Sequence, residues 1–270
     1  MTLSQQTAAP IGHTTDRIVT LTPSKAQIYA GCPYRFAHEQ KQVDSGSRSL
    51  LVGRWIHDIV HDYNLARMDG RDPSAEDLIA QKPIPVPSDG TPIDADWLTT
   101  TAADTLDGYR MFLETQGFAV ILDAERYVRT PPRPVLGVSD CRVVFAGRFD
   151  VAAMRDDRSI ACVDVKTGSV ASCPTLAASP SSLIYHLLSA YYYGVDDIDI
   201  VQVNPLTAQV SSIRLTAEQI ADGKVLCRRM VESIKDQTFE PVPSDYCAYC
   251  DIVSRCPAHT LRRDGWDTVF

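Results

Sequence analysis

Asp164 and Lys166 stand two residues apart in the run IACVDVKTG (160–168), and Asp150 closes the run VVFAGRFD (143–150). Residues two apart on a β-strand point to the same face, so the first run sets a carboxylate beside an ammonium. Asp150 and Asp164 can share a divalent cation through hard oxygen ligands, the preference of Mg²⁺ and Mn²⁺. Lys166 can then orient or help deprotonate a water, or stabilise charge developing on phosphorus. An isolated Asp-x-Lys on an exposed strand is usually a solvated ion pair. Here both acids sit in apolar strand sequence, where a carboxylate requires a partner or a metal.

His57 and His61 lie one helical turn apart. Asp58 occupies the place of the glutamate in H-E-x-x-H, which discounts a zinc hydrolase. His57 on its own is either a cation ligand or a hydrogen-bonded helix histidine. Glu125, inside AVILDAERYVR (119–129), either supports a metal site or is structural.

Eight cysteines fall into two groups. Cys141, Cys162, Cys173 and Cys227 are scattered, and burial accounts for the ones in apolar strands and a helix. Cys247-x-x-Cys250 and Cys256 are clustered in YCAYCDIVSRCP (246–257), and Cys32, like Cys256, precedes a proline. Three neighbouring thiolates and one distant thiolate can complete a four-sulfur site. Zinc and an iron–sulfur cluster are both chemically open to such a set.

These residues need elements to carry them. Residues 1–16 read as a disordered tail, and 17–270 as a single domain. In LTPSKAQIYAGCPYRFAHEQ (21–40) Ser24 is an N-cap candidate, and Cys32-Pro33 divides two short helices. Residues 47–68 read as an amphipathic helix through Leu50, Leu51, Trp55, Ile59 and Tyr63. Residues 69–94, including KPIPVPSDGTP (82–92), read as a surface loop, and 95–115 as a helix closed by Gly117. Together 69–115 form an insertion ahead of three strands, 119–129, 141–154 and 159–168. A helix over 182–193, a strand pair (197–205 and 210–216) and a helix over 217–236 follow, before a cysteine-rich segment, 240–270. This order implies an α/β domain with a mixed central sheet flanked by helices.

The apolar fraction of 44% and charged fraction of 22% suit a globular core. No stretch approaches the roughly 18 apolar residues of a membrane span, and the first residues lack the pattern of a secretory signal, so a cytoplasmic location is expected. The net charge of −8 argues mildly against a nucleic-acid binder. Basic residues do gather at Lys25, Arg35, Lys41, Arg48 and Arg54, and at Arg255, Arg262 and Arg263, and one positive groove suffices. No G-x-x-x-x-G-K-[ST] is present, so any motor is a separate protein.

From Ser24 to Pro257 the pattern resembles the PD-(D/E)XK nucleases, in their RecB-like branch with the CRISPR-associated RecB-like exonucleases and the AddB nuclease domain. The matching residues are Ser24, Cys32-Pro33, Gly53-x-x-x-His57, Gly147-x-x-Asp150 and Asp164-Val165-Lys166. The resemblance implies a restriction-endonuclease-like core hydrolysing DNA with Mg²⁺ or Mn²⁺ held by His57, Asp150, Asp164 and the Val165 carbonyl. It implies Lys166 as the catalytic ammonium. It further implies a [4Fe–4S] cluster on Cys32, Cys247, Cys250 and Cys256, clasping the N- and C-terminal segments. The substrate implied is single-stranded DNA or a DNA end, with a helicase or recombination or adaptation proteins as partners. The family's Q-x-x-x-Y is incomplete: with Tyr191 as the tyrosine, Leu187 stands at the glutamine, and His186 is a neighbouring substitute. A DNA-binding or assembly subunit that keeps fold and cluster with little activity is the alternative.

Overall fold

The computed structural model describes residues 16–38, 47–88, 90–135 and 137–259. Its strands are β1 (Arg17–Leu21), β2 (Phe118–Arg129), β3 (Arg133–Val135), β4 (Val138–Arg155), β5 (Ile160–Val165), β6 (Ile198–Asn204) and β7 (Gln209–Arg214). Its helices are α1 (Pro23–Gly31), α2 (Pro33–His38), α3 (Arg48–Met68), α4 (Ala75–Ile79), α5 (Ala95–Thr115), α6 (Cys173–Ala178), α7 (Pro180–Tyr193) and α8 (Ala217–Asp236). Two short 3₁₀ turns, Asp245–Tyr249 and Val253–Arg255, follow. Lys41, Arg262, Arg263 and the proposed tail, up to Thr15, lie outside the described residues.

The sheet runs β1-β4-β5-β6-β7, with β2 and β3 also paired to β4. β1 and β4 are parallel, as are β5 and β6, while the remaining pairs are antiparallel, so the sheet is mixed as the element order implied. β4 is the backbone of the arrangement: at 18 residues it meets β1 and β3 with its first half and β2 and β5 with its second.

Strand alternation splits the core into two layers. Ala161, Val163 and Val165 of β5 and Val201 and Val203 of β6 pack against α3, α4 and α5. Cys162 of β5 and Ile198 and Ile200 of β6 pack on the other side, with α1, α7 and α8. Burial of both faces explains why β5 reads as a continuous apolar run. By the same alternation Asp164 belongs with Cys162, on the α7 side.

Several boundaries follow from local chemistry. Asp94 caps α5 by accepting from Trp97 N at 3.0 Å, and Gly117 leaves it with φ +66. Thr216 and Gln219 form a reciprocal capping box on α8. Cys32 caps α1 and separates it from α2, as the Cys-Pro pair implied.

Four elements were not legible, among them α6, a six-residue helix capped by Ser172. β1 is five residues long and earns its place only through parallel pairing with β4, more than a hundred residues away. β3 contains Pro134, and α4 is a single capped turn inside the segment expected to be loop. The 69–115 segment is no appendage: Leu78, Leu98, Leu106 and Phe112 complete one core layer. At Gly108 an added Cβ would run into the backbone of Pro205, so α5 sits directly on the β6–β7 turn. None of the described helices is long and apolar enough to cross a membrane.

Candidate active site

The ladder between β4 and β5 stops at Val151↔Val163. Beyond it the strands splay, and the Val165 amide, instead of bonding a strand carbonyl, donates to Asp150 Oδ2 at 2.9 Å. The opened wedge exposes carboxylates on two neighbouring strands at one place. β4 itself runs on through Asp150 to Arg155, so the aspartate does not end its strand. The irregularity lies across the ladder. Ala124 pairs with Val151 and Arg126 with Phe149, which sets Glu125 against Asp150, and Glu125 has a left-handed backbone with φ +51. A side chain larger than glycine is rarely found there, and the strain is of order 1 kcal/mol or more. It turns the Glu125 carboxylate toward Asp150.

His57 of α3 completes the group. Ligand atoms of His57, Glu125 and Asp150 lie within 4.8 Å of one another, and among the described residues they form the one such group of histidine, cysteine and acid. His57 Nδ1 is 3.8 Å from Asp150 Oδ2. Asp164 and Lys166 form an adjacent pair, Nζ to Oδ2 at 2.7 Å, so the expected juxtaposition exists. Gln202 of β6 donates to the same Asp164 oxygen at 3.0 Å and accepts from Ala171 N at 3.1 Å. The Lys166 amide bonds Val203 O at 2.7 Å, fixing the end of β5 against β6. Gly53 of α3 faces this turn: a Cβ there would stand 3.1 Å from Thr167 Oγ1.

The electrostatics fit a cation. Burial, then the negative charge of Asp164, pushes the Asp150 carboxyl well above its usual range, while the Val165 amide works against the shift. Burial pulls the His57 imidazole below its ordinary value, with Asp164 opposing, which favours the neutral form that can ligate. A nitrogen and clustered carboxylate oxygens, partly desolvated and mutually repelling, are donors suited to Mg²⁺ or Mn²⁺.

The tyrosines of α7 and His186 differ in their surroundings. Tyr191 is 51% exposed, its ring open to solvent. Tyr185, six residues earlier and so on a different face of α7, is turned inward, its ring 6.2 Å from that of Phe149. Tyr193 stacks on the same ring at 6.5 Å, while its hydroxyl donates to Asp123 Oδ2 at 2.8 Å. The Tyr185 phenol is pushed up by burial first and by the Asp164 charge second. His186 does not stand in for a glutamine at the site. It is buried, its imidazole is pulled down by burial, and its charged neighbours are Asp196 and Lys224.

Sequence reading overlooked Gln202 and Tyr185. Gln202 lies four residues past the start of an apolar strand, and only its parallel register with Asp164 shows its role. Gln202→Leu should leave Ala171 N and an Asp164 oxygen without this partner and cost about 1–3 kcal/mol of stability, as measured by thermal melting.

The four patterned cysteines sit elsewhere. Cys32, Cys247, Cys250 and Cys256 line one cavity of about 380 Å³ together with Ile252 and Val253. Val242 N donates to Cys32 Sγ at 3.4 Å and Ser244 N to Cys247 Sγ at 3.3 Å, contacts that suit a thiolate. No three of the four sulfurs come within 4.8 Å of one another. The two chain ends are also joined without the cysteines: Tyr34 N bonds Glu240 O, Tyr34 Oη bonds Arg255 O, and Arg35 pairs with Asp251 at 3.5 Å and covers the Tyr246 ring. Cys141, Cys162 and Cys227 are buried and Cys173 is exposed, all apart from this cavity.

Solved structures that align with this chain include a protein from Eubacterium rectale described as a candidate exonuclease, at 12% identity and TM-score 0.49, covering 93% of each chain. A protein named SSO0001 aligns at 15% identity and TM-score 0.43, covering 89% of this chain and 87% of its own. LHK-Exo in complex with dAMP aligns at 11% identity and TM-score 0.27, covering 68% of this chain and 93% of its own. No curated protein matches. The model of the PD-(D/E)XK nuclease superfamily matches residues 20–257, a span that holds every residue of the site just described. By that match over most of its length, the chain belongs to the PD-(D/E)XK nuclease superfamily.

Proposed function

We propose that the chain is a Mg²⁺- or Mn²⁺-dependent nuclease of the RecB-like type, hydrolysing DNA phosphodiesters from single strands or ends in the cytoplasm. The observation that carries this is the meeting of His57, Glu125 and Asp150 within 4.8 Å, beside the Asp164–Lys166 pair. His57, Asp150, Asp164 and the Val165 carbonyl would hold the cation, with Glu125 added to the set by its place in the cluster. When bound, the cation supplies Lewis acidity toward a phosphoryl oxygen and a local charge that makes water more acidic.

The chain's own groups do the rest. Asp164 and Gln202 hold the Lys166 ammonium in place, where it can position a water and offset negative charge growing on phosphorus. The neutral His57 adds a ligand without adding repulsion. Tyr185 closes the α7 side of the wedge and excludes water there. The chain would act alone or with a separate helicase or recombination or adaptation proteins.

A [4Fe–4S] cluster on Cys32, Cys247, Cys250 and Cys256 belongs to the same reading. A single zinc ion, with Zn–S near 2.3 Å, gathers its sulfurs to within roughly 4 Å of one another. No three of the four sulfurs are that close here, so the cluster rests on the resemblance and on the cavity that the four cysteines share. Its role would be structural.

A second reading, a DNA-binding or assembly subunit of low activity, is favoured by the lack of any glutamine on α7. The test is cleavage of end-labelled single-stranded DNA with Mn²⁺ by protein purified without oxygen, wild type beside Lys166→Ala. Loss of cleavage in EDTA and in the variant is the expected result. Cleavage by both would remove Lys166 from the site. Silence from both, with DNA still bound, would select the second reading.

A further inference from the structure

Trp97 is 46% exposed, although it stands on the first turn of α5, a helix otherwise devoted to the core. The Arg48 guanidinium lies over its ring, 5.3 Å from the centroid. Both residues line a cavity of about 710 Å³ that continues to Lys166, Thr167 and Gly168 at the end of β5. That volume falls within the roughly 300–1,000 Å³ usual for small-ligand sites. Asn204, on the wall, donates to Gly168 O at 2.6 Å, so the glycine turn beside Lys166 is held in place. The lining therefore runs from an aromatic face and a cation to the ammonium of the active site.

An exposed indole and a guanidinium at one mouth of a cavity match the two parts of a nucleotide. A base stacks on an aromatic face at about 1–3 kcal/mol, whatever its identity. A guanidinium can bond a phosphate in bidentate fashion, or stack on the base itself. Thr101 and Thr105, on the same face of α5, offer hydroxyls along the wall, although Thr105 Oγ1 already bonds Thr101 O at 2.6 Å. Paired bases keep their faces covered by neighbours, so only an unpaired nucleotide can lie flat on Trp97. Gly168 carries no side chain and nothing lies within 4 Å of where its Cβ would stand, which leaves room beside Lys166 for a sugar–phosphate chain.

We propose that Trp97 and Arg48 form a base-stacking subsite for an unpaired nucleotide next to the phosphate presented to Lys166. This rests on the nuclease reading for its position in the substrate, but not for its existence as a binding site. Because the residues sit on α3 and α5, the 69–115 segment acquires a task beyond filling the core: it reads the strandedness of the substrate.

The test separates binding from cleavage. Binding of a short fluorescein-labelled oligothymidylate is followed by anisotropy in the Lys166→Ala background, in EDTA, with Trp97→Ala, Trp97→Phe and Arg48→Ala added singly. Cleavage of single-stranded and blunt duplex DNA is followed in the Lys166 protein with the same changes. Trp97→Ala should weaken oligothymidylate binding about 5–100-fold, and Trp97→Phe should restore most of it. The loss in cleavage should fall on KM for single strands and spare blunt duplex. Trp97 is half-exposed, so unchanged thermal melting of the variants is expected. Equal binding by Trp97→Ala and the parent overturns the subsite, whether or not DNA is cut. A binding loss in Trp97→Ala without cleavage by any variant upholds the subsite and rejects the nuclease reading. A loss that phenylalanine does not restore overturns stacking as its cause.

Discussion

Asp150→Asn should abolish cleavage and at the same time make the metal-free protein more stable. The carboxylate is partly buried, faces Glu125 across the β2–β4 ladder, and feels the charge of Asp164. Lys166 is paired with Asp164 and Arg148 with Glu125 at 3.3 Å, so these cations serve the neighbouring acids rather than Asp150, and His57 is kept neutral by burial. An asparagine can still accept the Val165 amide bond while removing the charge. The gain expected is about 1–2 kcal/mol, a melting rise of a few degrees in EDTA. The loss of kcat expected is roughly 10³-fold or more, since the position is both ligand and organiser.

The pH dependence has a definite sign. The folded state holds the Asp150 proton more tightly than the unfolded state does. Folded protein therefore binds more protons, and stability in EDTA falls as pH rises from the ordinary aspartate range through the raised folded value. The asparagine variant lacks that slope, so its advantage is largest near neutrality and disappears in acid. Calorimetry of both proteins with EDTA and with Mn²⁺ measures all of this. A variant less stable than wild type at neutral pH would show that Asp150 is not crowded. The stabilities should reverse with Mn²⁺, because a ligand that binds only the folded state favours the protein that can hold it.

Cys247→Ser should remove bound iron and lower the melting temperature by roughly 10–20 °C. The cavity's cysteines come from opposite ends of the chain, so a group bound to all four closes a loop of nearly the whole domain. By the arithmetic of a covalent cross-link, closing so long a loop is worth about 5 kcal/mol. In a protein of this size that corresponds to about 2–4 °C for each kcal/mol. Cys173→Ser is the control, since this exposed thiol lies outside the cavity. Iron analysis, visible absorbance and melting under nitrogen report the outcome. Iron retained by Cys247→Ser would reject the four-cysteine set, and stoichiometric zinc in the wild type would replace the cluster with a single ion. Iron lost with no change in melting would leave the closure to the Tyr34 and Arg35 contacts alone.

Much of this protein is decided by sequence. The strand carrying Asp164, the helix over residues 95–115 and the break at Cys32-Pro33 follow from period, caps and proline chemistry, which act over a few residues. The pairing of Asp164 with Lys166 agrees with their two-residue spacing, although Lys166 stands one residue past β5 and its amide is held by Val203 O. Other features depend on contacts between distant segments. Glu125 reads equally as structural or functional until the ladder sets it against Asp150 and its backbone turns left-handed. Gln202 looks like one polar residue in an apolar strand until parallel pairing lays it beside Asp164. Tyr185, Tyr191 and Tyr193 all lie on α7, and only the packing of that helix shows that the first and third meet Phe149 while Tyr191 is exposed. Trp97 is indistinguishable by sequence from the core aromatics of α5. The placement of α3 beside α5 leaves it at a cavity mouth under Arg48. Local spacing thus determined the acids, the lysine and the thiols. Strand register and helix packing, which no local rule contains, determined which side chains surround them.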